Sequence, residues 1–151
     1  MRIREADVDD LEAVLALLAE DAIREVAEPA EVTARQRAAM AELVADDHQC
    51  LLVGEIDGRI VATATVTWLR VLIYDGGLVC QVESVRTASD LRGRGHGRDL
   101  MQHVVALARQ RGCARVQLTT NARRTRAHEF YRRLSFRPSH VGMKLYLTAG
   151  S

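Results

Sequence analysis

The stretch Leu91-Arg92-Gly93-Arg94-Gly95-His96-Gly97-Arg98 decides how the rest of the chain is read. Upstream, Leu78–Thr87 reads as a strand. Downstream, Leu100, Met101, Val104, Val105 and Ala108 recur at the spacing of one helix face, and Gly112 marks the end of that helix. The stretch is therefore a glycine-rich turn from a strand into a helix. The first N–H groups of a helix have no intrahelical partners and stand at the positive end of its dipole. Such a turn is an anion site. Gly93, Gly95 and Gly97 let the backbone approach a ligand closely, and Arg92, Arg94 and Arg98 add positive charge.

The anion is narrowed by what the spacing excludes. A phosphate loop of the GxxxxGK[ST] type does not occur. A dinucleotide GxGxxG beginning at Gly93 would need its third glycine where Arg98 stands. A solvated, flexible Arg/Gly turn is the structural alternative.

Working outward, Arg2–Arg4 reads as an edge strand. Asp7 caps a helix carrying Val8, Leu11, Val14, Leu15 and Leu18, with Asp9 and Asp10 in its first turn. A second helix is predicted from Thr33, as its cap, to Asp46. Cys50–Glu55 and Arg59–Ile73 read as strands joined by a turn at Asp57-Gly58. Asp75-Gly76-Gly77 is a further turn. After the central helix come a strand over Ala114–Thr119, a helix over Arg124–Leu134, and a closing strand over Gly142–Leu147. The order β-α-α-β-β-β-α-β-α-β predicts an α+β (layered α/β) fold with helices covering a sheet.

The chain has 151 residues, 48% of them hydrophobic and 27% charged, which fits one globular domain over residues 1–151. The net charge of +1 hides an asymmetry: residues 1–61 hold 6 basic and 15 acidic side chains, and residues 62–151 hold 15 basic and 5 acidic. The basic half points to an anionic partner. No apolar stretch approaches the roughly 20 residues of a membrane span, and the start has no signal-peptide pattern. Cys50, Cys80 and Cys113 form no CxxC pair and read as buried thiols in a cytoplasmic protein. The histidines have no metal-ligand spacing, so no metal is expected.

Arg92-x-x-Gly95-x-Gly97 resembles the R/Q-x-x-G-x-G/A signature of the GNAT superfamily of acetyl-CoA-dependent N-acetyltransferases. Val82–Asp90 resembles that family's fourth strand and its lead-in. Ala127-His128-Glu129-Phe130-Tyr131-Arg132-Arg133-Leu134-Ser135-Phe136 is similar to its A-x-x-FYxxLGF segment, and Ile3–Leu11 to its opening. The resemblance covers nearly the whole chain in order. It implies a mixed, mostly antiparallel sheet covered by about four helices. It also implies direct transfer of an acetyl group from acetyl-CoA to a primary amine in a ternary complex.

Residue by residue, the resemblance implies that Gly93, Arg94, Gly95, His96, Gly97 and Arg98, with Arg92, hold the coenzyme A pyrophosphate. Main-chain groups of Val85, Arg86 and Thr87 meet the pantetheine arm and thioester carbonyl, where an N–H steadies the developing oxyanion. Tyr131 is the implied acid for the departing thiolate, against core packing on its own apolar stripe. Glu83 is the candidate base, where burial in the strand raises its pKa, against a solvent-facing carboxylate. Two positions depart from the pattern. Arg124 stands where many members carry an asparagine on the pantetheine, with Asn121 nearby. Ser135 stands where the family has glycine after the helix, a left-handed site in which serine is strained. His128 and Cys113 are weaker candidates for assisting Tyr131 and for an acyl-enzyme nucleophile.

The acceptor site falls to the first two helices and the region between the third and fourth strands, which carry Glu25, Glu28, Glu31, Trp68, Arg70 and Tyr74. A small-molecule amine is the predicted acceptor, cationic on the charge asymmetry, with no nucleic acid or membrane partner and with scope for a homodimer. Two other functions compete. One is a non-catalytic acyl-CoA-binding sensor. The other is a nucleic-acid-binding module using the arginines between Arg86 and Arg137.

Overall fold

The computed structural model describes every residue except position 21, positions 24–26 and positions 148–151. Its elements run β1 (Arg2–Glu5), α1 (Leu11–Ala19), α2 (Ala34–Ala45), β2 (Gln49–Ile56), β3 (Arg59–Arg70), α3 (Ile73–Gly76), β4 (Leu78–Thr87), α4 (His96–Gln110), β5 (Cys113–Leu118) and α5 (Thr125–Arg133). Short 3-10 turns, Val8–Asp10 and Ser89–Leu91, precede α1 and lead into the glycine loop. The five strands lie in chain order, antiparallel from β1 to β4 and parallel between β4 and β5. This is the mixed, mostly antiparallel sheet that the family resemblance implies.

Local chemistry sets the element ends. Asp7 and Asp10 form a capping box before α1, and Thr33 and Gln36 form another at the start of α2. The β2–β3 turn places Asp57 and Gly58 at φ 49° and 79°, the left-handed pair that a tight hairpin needs.

Each face of the sheet is covered. Cys50, Leu52, Ala62, Ala64, Val66, Trp68, Cys80 and Val82 pack with Leu100, Met101, Val104 and Ala108 of α4. On the opposite face, Leu51 and Val53 pack with Leu11 and Val14 of α1 and Met40 of α2. Leu52 and Leu100 are fully buried. Burying each such side chain contributes about 1.5–3 kcal/mol. Among the described residues, no helix is long and apolar enough to cross a membrane.

Two predicted strands differ from the structure. The third ends at Arg70 rather than Ile73, because the backbone turns left-handed at Tyr74 and Asp75 (φ 57° and 55°) and leaves the sheet. The closing strand over Gly142–Leu147 is not formed: the segment has no regular secondary structure and its apolar side chains are exposed. Its alternation provides an apolar side, yet a strand also needs a pairing partner, and among the described residues no ladder includes this segment.

Candidate active site

The opening that organises the site is made by β4. Its ladder with β5 ends at Val82 opposite Leu118, whereas β4 continues to Thr87. Over Glu83–Thr87 the strand is therefore paired only on its β3 side. Within that stretch Thr65 lies opposite Glu83 and Thr63 opposite Arg86, so β4 carries an extra residue. Ser84, at φ 56°, takes up the bulge. Bulges re-aim the residues that follow, and here these are Val85, Arg86 and Thr87.

The glycine loop stands beside the end of β4. Gly93 and Gly95 have φ 79° and 93°, and Gly95 is the N-terminal cap residue of α4. Gly97 serves differently. A Cβ there would lie 3.3 Å from Thr87 Oγ1 and 3.5 Å from Phe130 Cζ, so it lets α4, β4 and α5 converge. Arg92 donates from Nε to the Thr87 carbonyl at 3.3 Å, and its Nη2 lies 3.7 Å from Glu20. Glu20 also accepts the Ser89 N–H at 2.7 Å, which joins the end of α1 to the lead-in of the loop. His96 and Arg98 lie in the first turn of α4, and Arg94 faces the field of Asp90.

Tyr131 is half-buried on α5, its ring edge-on to Phe130 at 5.0 Å and to Phe136 at 5.7 Å. The second contact is built by the helix end. The Phe136 N–H donates to the Tyr131 carbonyl and the Ser135 N–H to the Arg132 carbonyl, with Ser135 at φ 68°. This is a Schellman cap, and it folds Phe136 back onto Tyr131. Burial pushes the Tyr131 hydroxyl pKa up, while the guanidinium groups of Arg86 and Arg124 act in the opposite sense. Arg124 caps α5, and Asn121 accepts the Arg123 N–H in a turn just before it. His128 Nε2 lies 3.0 Å from the Asn121 carbonyl, an interaction that ties it to the turn and not to the tyrosine.

Glu83 is exposed, the solvent-facing alternative of the two that the sequence leaves open. It accepts from Gln81 Nε2 at 3.1 Å, Gln81 accepts from Gln117 at 2.7 Å, and Gln117 accepts from Arg115 at 2.7 Å. Arg115 also donates to the Tyr74 hydroxyl at 2.6 Å. Glu83 and Tyr131 are thus on opposite faces of the sheet, flanking the place where β4 and β5 part. The polar row Gln81, Arg115 and Gln117 is not among the residues to which the sequence points. Its one signal is Gln81 and Glu83 alternating with buried Cys80 and Val82.

The predicted acceptor residues scatter. Trp68 is in the core under α4, with Arg111 stacked on its ring at 4.5 Å, so it is not a pocket residue. Arg70 is held by the Gly76 carbonyl. Glu28 and Glu31 are exposed, and Glu25 lies outside the described residues. Two open concavities, of about 560 Å³ beside α1 and about 460 Å³ between α4 and the end of α5, contain neither Tyr131 nor Glu83. Among the described residues, no group of three or more His, Cys, Asp or Glu side chains gathers to hold a metal. All three cysteines are free thiols. Burial pushes Cys50 and Cys80 up to about 12 and raises Cys113.

Residues 12–136 match the model of the acetyltransferase (GNAT) family. The chain belongs to the GNAT acetyltransferase family. Glucosamine 6-phosphate N-acetyltransferase 1 of Oryza sativa subsp. japonica is 34% identical over 113 residues, 73% of this chain and 67% of that protein. Among solved structures, a transcriptional regulator from Bacillus halodurans C-125 superposes with a TM-score of 0.92 at 35% identity, covering 97% of this chain and 99% of that one. Glucosamine-6-phosphate N-acetyltransferase from Arabidopsis thaliana superposes with a TM-score of 0.79 at 20% identity, covering 97% and 98%. That likeness is one of GNAT fold.

Proposed function

We propose that this GNAT protein transfers an acetyl group from acetyl-CoA directly to a primary amine of a small molecule. The observation that carries the reading is the parting of β4 from β5 beyond Val82, with the glycine loop and Tyr131 at its margins. Gly93–Arg98, with Arg92, would bind the cofactor's pyrophosphate through loop N–H groups and the α4 terminus. Main-chain groups of Val85, Arg86 and Thr87 would hold the pantetheine and polarise the thioester carbonyl. Asn121 and Arg124 would border the same arm.

Glu83, acting through water, takes the proton of the attacking amine. The amine nitrogen bonds to the carbonyl carbon, the carbon–sulfur bond breaks, and Tyr131 gives its proton to the leaving sulfur. The Tyr131 hydroxyl carries its proton at neutral pH, and the nearby Arg86 and Arg124 guanidinium groups, which act to lower its pKa, favour giving that proton up. The raised thiol pKa values support direct transfer over an acyl-cysteine. The thiols also fit a cytoplasmic setting. Amino sugar phosphates head the panel of acceptors, since the plant relatives are named for glucosamine 6-phosphate.

The test is Tyr131→Phe. Turnover, followed by free thiol release, falls about 10²-fold or more while acetyl-CoA affinity is retained. Unchanged turnover overturns the acid role. The neighbour named as a transcriptional regulator favours one second reading, a sensor that binds acyl-CoA without turnover. In that case acetyl-CoA raises the melting temperature but no amine in the panel releases thiol.

A further inference from the structure

One face of β4 and β5 is polar where the other is core. Cys80 and Val82 pack with the α4 cluster, so the alternate residues Gln81 and Glu83 take the opposite face. The register sets Thr67 beside Gln81 and Thr65 beside Glu83 from β3, and Gln117 beside Gln81 from β5. Thr65, Thr67, Gln81 and Gln117 are half-buried, and Glu83 and Arg115 are exposed.

The hydrogen bonds along this face run one way. Arg115 Nε donates to Gln117 Oε1 at 2.7 Å, Gln117 Nε2 to Gln81 Oε1 at 2.7 Å, and Gln81 Nε2 to Glu83 Oε1 at 3.1 Å. A carboxylate ends the row where β4 and β5 part, and a guanidinium ends it near the start of β5. From Arg115 to Glu83 the paired strands advance four residues, about 13 Å between Cα atoms.

Arg115 is held in place but not neutralised. Its Nη1 donates to the Tyr74 hydroxyl at 2.6 Å, and its guanidinium carbon lies 5.4 Å from the Tyr74 ring centroid. Among the described residues no acidic side chain pairs with it. Nη2 and the second proton of Nη1 remain, a paired N–H edge that fits a carboxylate or a phosphate. The Tyr74 hydroxyl accepts from Arg115 and so has its own proton to give to the same anion. The turn that delivers Tyr74 points the same way. Tyr74 and Asp75 are consecutive left-handed residues, at φ 57° and 55°, where side chains other than glycine rarely sit. Such backbone gathers at ligand sites.

We propose that Arg115 and Tyr74 receive an anionic group, a phosphate or a carboxylate, of an acceptor whose amine lies at Glu83. The amine end of this inference rests on the proposed transfer reaction, and the anion end on the geometry of the row. The middle of the acceptor lies against Gln81 and Gln117, whose amides offer hydrogen bonds to hydroxyl groups. The length of the row sets a further requirement. An amine and an anion separated by one carbon, as in an α-amino acid, do not reach both ends, whereas groups separated by several carbons do.

Calorimetric titration of two matched pairs tests this. Glucosamine 6-phosphate is compared with glucosamine, and 6-aminohexanoate with hexylamine. In at least one pair the anionic member is expected to bind about 10- to 100-fold more tightly, and the pair that shows this identifies the group as phosphate or carboxylate. Arg115→Gln removes the advantage and leaves the member without the anion unchanged, Arg115→Lys restores part of it, and Tyr74→Phe weakens the anionic member several-fold. No binding of either anionic member, equal affinity within both pairs, or an advantage that survives Arg115→Gln overturns the proposal. Thiol release from acetyl-CoA with the same acceptors reads the reaction separately. Binding through Arg115 without thiol release leaves the anion site standing and overturns the transfer reaction. With turnover, Arg115→Gln raises KM for the anionic member and leaves kcat nearly unchanged, and a fall in kcat at constant KM overturns the assignment.

Discussion

The carboxylate of Glu20, at the end of α1, accepts the backbone N–H of Ser89 at 2.7 Å and stands 3.7 Å from the guanidinium of Arg92. One side chain from the acidic half of the chain thus fixes the entrance of the basic glycine loop. The bond to a charged acceptor contributes about 1 kcal/mol at this degree of exposure. Under the proposed cofactor assignment, Glu20→Ala weakens acetyl-CoA binding about three- to tenfold in calorimetry. The neighbouring pair of Arg59 with Asp90, at 2.8 and 3.0 Å, is more than half exposed on both sides. Arg59→Ala is therefore expected to leave stability nearly unchanged. Equal affinity for the Glu20 variant and the unaltered protein counts against the positioning role.

Much of this arrangement is legible where the signal is local. The cap at Thr33, the Asp57-Gly58 hairpin and the glycines of the loop follow from neighbours a few residues apart, whereas the left-handed Ser135 is legible only through the family resemblance. What escapes the sequence is non-local. Nothing about Ser84 demands its left-handed backbone, which comes from the offset between β3 and β4. Trp68 looks like a pocket residue until the pairing of Trp68 with Cys80 sets which face it takes. The segment 142–147 reads as a strand because periodicity reports which side is apolar, not whether an edge is at hand. Val82 and Val85 beside Glu83 leave open whether its carboxylate is buried or solvent-facing; in the folded chain it is exposed.

Asp10 is the second position with a measurable consequence. Its oxygens accept from Arg4 at 2.7 and 2.9 Å and from the Asp7 N–H at 2.9 Å. These bonds, the Arg4 guanidinium first, hold its carboxyl below the usual range even though burial opposes them. A depressed pKa in the folded state means that the stabilisation is present above the ordinary aspartate value. It is lost as pH falls through the folded value. Asp10→Asn is expected to cost about 2 kcal/mol in urea unfolding at pH 7. The gap between variant and unaltered protein should narrow on acidification. A gap that is constant with pH would remove the carboxylate from the account.

Tyr131 gives the opposite pH dependence. Burial raises its pKa in the folded chain, so the protonated hydroxyl is favoured by folding. The associated stability is complete below the unfolded value of about 10 and declines as pH rises through the folded one. Thermal unfolding across the alkaline range should show the unaltered protein losing stability relative to Tyr131→Phe. Parallel curves would mean that the hydroxyl is solvated in the folded chain.

Ser135 ends α5 in the left-handed region, at φ 68°, with its N–H bonded to the Arg132 carbonyl at 2.9 Å. A Cβ in this conformation crowds the following carbonyl and costs about 1–2 kcal/mol. Glycine removes that strain but gains freedom in the unfolded chain, which returns part of it. Ser135→Gly is therefore expected to stabilise by about 0.5–1 kcal/mol, a rise of about 2–4 °C in Tm for a chain of this size. The Schellman bond from Phe136 to the Tyr131 carbonyl is kept, so the contact of Phe136 on Tyr131 should be undisturbed and turnover unchanged. An unchanged or lower Tm would show that the serine is not strained where it stands.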